Sequence, residues 1–122
     1  MNPHQEHLMH YLTEQADAHQ AQQRALAGDD RQDEAAFEQI RANIYEVFRT
    51  VLSTAQRVCG SDDAAIRAFF VQRLIQIPQS WSTALEEAKA HHDTKQQHLQ
   101  LVKLNVAQDI RREMALWKEE RP

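Results

Sequence analysis

Glycine and proline are scarce: two Gly and three Pro in 122 residues. Tight turns draw heavily on both, so the many turns of an all-β sandwich or barrel are excluded. Two glycines also cannot build a Gly-rich phosphate loop. Cysteine is nearly absent. Cys59 stands alone, so there is no internal disulfide to hold the fold. It lies at the expected end of a helix, where the negative pole of the dipole disfavours a thiolate. Its neighbours Val58 and Gly60 supply neither base nor cation. A partly buried structural cysteine is expected there rather than a nucleophile.

Long apolar runs are missing too. The longest resemble AFFV, so no membrane span is expected. The first residues, MNPHQEHLMHYL, lack the basic start and apolar stretch of a signal peptide. Positive charge is in deficit: 14 Lys and Arg face 18 Asp and Glu, a net charge of −4. No basic block answers to nucleic-acid phosphates. These absences point to a cytoplasmic protein whose partners are neither nucleic acid nor membrane.

What is present is helix-forming. Ala, Gln, Glu, Leu and Arg dominate, all good helix residues. The Gln-rich runs AHQAQQRA and KQQHLQ carry apolar residues at helical spacing, which marks helix surface rather than low complexity. At 122 residues the chain is long enough to build one ordinary core without disulfide or metal.

Asn2 before Pro3 reads as an N-cap with proline in the first turn, and Gln5 completes a capping box. Helix 1 is expected over 3–27, with Gly28 as its stop. Its inner stripe, Gln5, Leu8, Leu12, Gln15, His19, Gln22 and Leu26, is thin in large apolar residues, which predicts loose or edge packing. Asp29 and Asp30 are expected to cap helix 2, 31–59. Its stripe of Phe37, Ile40, Ile44, Val47, Phe48, Val51, Ala55 and Val58 steps by three and four like a core pillar. Ser61, Asp62 and Asp63 cap helix 3, 62–77, which Pro78 is expected to end. Ile66, Phe69, Phe70, Leu74 and Ile77 share one face, while Val71 and Ile75 point roughly the opposite way. Such two-sided helices are buried centrally or face a second partner.

From 80 to 119 no Gly or Pro intervenes. A straight helix of that length would span ~60 Å. The run AKAHHDTKQQH offers a break, since Asp93 or Thr94 with Gln96 or Gln97 makes a second capping box. The stripe Trp81, Leu85, Ala88, His92, Leu99, Val102, Val106, Ile110, Met114, Trp117 keeps its phase across that run. Phase continuity favours a continuous or gently kinked fourth helix. The fold expected is therefore all-α: an antiparallel bundle of about four helices, two long, a short third and a very long fourth with its kink point near Asp93. Helices 2 and 4 are expected to supply the main seam.

Candidate chemistry is thin. His7, His10 and Glu14 cluster on the outer face of helix 1, with His4 or Glu6 nearby, and are the leading metal candidates. An exposed set of this kind lacks the outer shell that orients ligands, so a polar helix surface is the competing explanation. Glu87 and His91 make an i,i+4 pair, and His98 lies two turns further on, too far to share one ion. No Glu-x-x-His occurs, which argues against a di-iron carboxylate bundle. Ser53, Ser61, Ser80 and Ser82 lack His and Asp partners of the kind a nucleophile needs. A helix-turn-helix through PQS would open its second helix with SWSTALEEAKA, whose acids repel phosphate. No cofactor is implied. No motif is specific enough to assign a family. The expectation is a non-enzymatic protein that self-associates or binds another protein. Phe70, Val71, Ile75, Trp81 and Trp117 are the surface candidates, and a homodimer through helix 3, helix 4 or both is the expected assembly. The alternative is a metal-binding or small-molecule-binding bundle that uses helix 1 or the 87–98 flank.

Overall fold

The computed structural model describes residues 2–117. It contains α1 (Pro3–Gly28), α2 (Gln32–Cys59), α3 (Asp63–Gln76), α4 (Gln79–Ala90) and α5 (Thr94–Met114), and no strand among the described residues. The all-α bundle expected from the sequence is present, with α3 and α4 joined into one rod.

The rods alternate in direction. Gln5 at the start of α1 meets Gln56 at the end of α2 and Asp63 at the start of α3. His7 meets Glu113 at the end of α5. These residues define the base. At the other end Phe37 of α2 packs edge-on against His98 of α5, with ring centroids 4.4 Å apart. The path is therefore up, down, up, down.

Local chemistry explains the helix ends. The Asn2 side chain accepts the His4 amide at 2.7 Å, as the capping sequence requires. Asp62 accepts the Ala65 amide and so caps α3. The α1–α2 junction departs from expectation. Gly28 is still helical, and the left-handed residue is Asp30, φ 62°. Asp29 and Asp30 close α1 rather than cap α2, whose N-cap is Arg31 with no side-chain cap bond.

α3 ends at Gln76, just before Pro78 as expected, and α4 restarts at Gln79 joined to it as one rod. Ile77 and Pro78 keep right-handed helical backbone, and the Ile77 and Ser82 amides donate to Arg73 and Pro78 at 2.9 and 3.0 Å. Proline lacks the amide that would reach the carbonyl four residues back, and its ring crowds that carbonyl. The backbone ladder is interrupted there, since Gln79, Ser80 and Trp81 also make no backbone bond across the junction, and a kink is the result.

The long fourth helix is in two pieces. His91 caps α4, His92 is left-handed at φ 55°, and the Asp93 side chain accepts the Gln96 amide at 3.1 Å to start α5. Of the second capping box only the Asp93 N-cap operates, since the Asp93 amide donates to the Ala88 carbonyl instead of to a Gln side chain. The stripe kept its phase because both arms of an antiparallel hairpin turn an apolar face to one core. Phase continuity therefore carries no information about a straight axis. The expected end at Glu119 lies outside the described residues.

The core joins Leu8, Leu12 and Ala16 of α1 with Ile44, Tyr45, Phe48, Leu52 and Ala55 of α2. Ile66, Phe70 and Leu74 of α3 and Val106, Ala107, Ile110 and Met114 of α5 complete it. The most extensive helix pair is α1 with α2, not α2 with the fourth helix. Expectation is corrected on this point: α1 is not loosely held. Ala16 and Ala42 are fully buried, and small side chains allow close approach. In α2 the buried face is rotated from the expected one, so Tyr45 and Leu52 are inside while Val47 and Val58 face solvent.

Candidate interaction surface

Five residues were the expected surface. Phe70 and Trp117 do not belong to it, being 0 % and 3 % exposed within the chain's own core. Phe70 meets Phe48 edge-on at 6.0 Å. Trp117 lies just past α5, where its indole Nε1 donates to Asp63 Oδ2 at 3.2 Å and its carbonyl accepts from Arg67 Nε at 2.7 Å. His4 stacks on its ring. Val71 and Trp81 are half-buried against the core, and Ile75 is 50 % exposed.

Ile75 shares a groove with Leu104 of α5, which the sequence did not single out. Leu101, 45 % exposed, and half-buried Leu104 lie on the outer side of α5. Ile75, Pro78, Gln79 and Ser82 of the bent rod and Leu104, Gln108 and Arg111 of α5 enclose an open groove of about 350 Å3. Pro78 itself lines this groove. Leu101, Leu104, Gln108, Arg111 and Ala115 recur by three and four, a second stripe on α5. It is legible in the sequence once α5 is known to begin at Thr94.

The metal candidates are placed otherwise. His7 pairs with Glu113 across helices at 2.6 Å, while His10 pairs with Glu14 along α1 at 3.1 Å. Among the described residues no group of three His, Cys, Asp or Glu is arranged to hold a metal ion. Glu87 and His91 line a small cleft with Asp93, whose carboxylate caps α5. His98 packs on Phe37 instead. His19 and His92, both expected in apolar stripes, lie apart. His92 is exposed in the α4–α5 turn, whereas His19 binds Glu38 at 2.5 Å and stacks on Tyr45. Glu38 also accepts from Arg41 at 2.7 Å.

Tyr45 is buried at the α1–α2 contact, edge-on to Tyr11. Burial pushes its hydroxyl far above the usual range, and its hydrogen bond with the Tyr11 hydroxyl adds to this. Tyr11 is raised as well, chiefly by burial. Cys59 is half-buried against the core, as expected of a structural thiol. Among the described residues no helix is long and apolar enough to cross a membrane. No protein-family model, curated protein or solved structure matches the chain.

Proposed function

We propose that this protein acts without catalysis, by pairing with a second copy of itself through the outer flank of α3–α4 and α5. The observation that carries this reading is the meeting of Ile75 from one rod and Leu104 from the other at one open groove, with half-exposed Leu101 one turn further up the same face of α5. Exposed apolar side chains scattered singly need no explanation, but a contiguous set does.

The flank carries its own complement. Arg111 lies at its lower end. Gln79, Ser82 and Glu86 follow an i, i+3, i+7 line up α4, so Glu86 lies at its upper end. A two-fold axis through the groove sets Arg111 opposite Glu86 of the partner subunit, twice, around a shared apolar centre.

Light scattering on purified protein tests this. A dimer is expected, and Ile75→Glu with Leu101→Glu is expected to give a folded monomer. Arg111→Glu is expected to weaken the dimer, and adding Glu86→Arg in the same chain to restore it. A monomeric parent, or a dimer indifferent to all these changes, overturns the proposal.

A further inference from the structure

The rod of α3 and α4 changes its packing partner at Pro78. Below the bend α3 packs on α2; above it α4 packs on α5 and not extensively on α2. The flank of α2 therefore runs on uncovered. Phe37 and Ile40 are only half-buried there, as is Leu99 of α5. Together with Asp33, Ala36 and Lys95 they line a cleft of about 350 Å3.

Its volume and chemistry suit a small ligand. Binding clefts of roughly 300–1,000 Å3, apolar with a few polar groups, are typical of small-molecule sites. A partner helix, ~10 Å across, would need far more room.

The rim carries one charge of each sign, Lys95 and Asp33, and only Lys95 lacks a structural reason for its place. Lys95 makes no ion pair among the described residues. It lies in the first turn of α5, where a cation opposes the helix dipole and so adds nothing to helix stability. The nearby Asp93 carboxylate is engaged by the Gln96 amide. Asp33 lies in the first turn of α2, where a negative charge is favourable without any ligand. About one turn beyond Leu99 on α5, Lys103 is half-buried and likewise unpaired among the described residues.

We infer that this cleft binds a free single-chain amphiphile with an anionic head, its carboxylate against Lys95 and its alkyl chain along Phe37, Ile40 and Leu99. The site is separate from the flank assigned to self-association.

Calorimetric titration of the full chain with sodium decanoate, kept below its micelle concentration, tests this. One saturable site per chain is expected. Ala36→Trp, which places an indole in the cleft from an exposed position, is expected to abolish binding. Lys95→Glu, also at an exposed position, is expected to weaken decanoate about five- to tenfold. The same variant should strengthen binding of decyltrimethylammonium, which keeps the chain and reverses the head. Circular dichroism melting confirms that each variant folds, and Lys95→Glu carries the test if Ala36→Trp does not. No saturable heat, an affinity indifferent to both substitutions, or binding confined to anionic phospholipid vesicles would overturn the inference.

Discussion

His92 and Gly60 illustrate one rule with opposite signs. Both have positive φ, 55° and 62°. A non-glycine residue pays for that conformation in the folded state. His92→Gly is expected to raise stability by about 0.5–1 kcal/mol, measured by urea unfolding. Gly60→Ala is expected to lower it by about 1 kcal/mol or more. An added Cβ at Gly60 meets nothing within 4 Å, so the cost is backbone strain alone. Gly60 stands where helix 2 was expected to stop, but the conformation of His92 was not legible, because it falls in the apolar stripe and its phase disguised a turn.

Tyr45 sets a pH response. Its folded hydroxyl stays protonated above the ordinary value of 10.0. The unfolded chain loses that proton first, so the folded state binds more protons and stability falls as pH rises. The contribution is whole below about pH 10 and then declines by about 1.4 kcal/mol per pH unit. Urea unfolding from pH 9 upward should show this slope, and Tyr45→Phe should remove the part due to this residue. An unchanged slope in the variant would contradict the burial argument.

At the scale of elements, caps and benders matter more than apolar stripes. Asn2 and Asp62 were readable because an N-cap leaves a local mark, an oxygen two or three residues before a helical amide. Asp93 left the same mark and was outweighed by the in-phase stripe. Asp93→Ala is expected to cost about 1 kcal/mol in urea unfolding by leaving the Gln96 amide without its acceptor. A cost near zero would show that the α4–α5 turn is held by packing alone. Pro78 was legible as a punctuator but not as a bend. Whether proline ends a helix or kinks it depends on what the next turn packs against, here α5. The α1–α2 pairing was misjudged for a related reason. Ala16 and Ala42 look weak in an apolar count, yet they let two helices approach closely.

Across the whole molecule, the architecture was far more legible than any site. Composition and caps constrain helices locally, but a surface is made by residues distant in sequence. Ile75 was foreseen as facing away from the helix 3 core face, while Leu104 came to share its groove only through the turn at His92. Phe70 and Trp117 look like surface anchors by residue type, yet they fill the core because Phe48 and Asp63 meet them from other helices. Two seams of α5 stay open as a result of how the helices assemble, one where Ile75 faces Leu104 and one with α2 beside Lys95.

The central claim is that the flank of Ile75, Leu101 and Leu104 joins two copies of the chain. Native mass spectrometry of the untagged protein, sprayed over a range of concentrations, tests it most directly. The account predicts a dimer that persists into the low micromolar range and is lost in the Ile75→Glu, Leu101→Glu variant. A monomer at every concentration would contradict it.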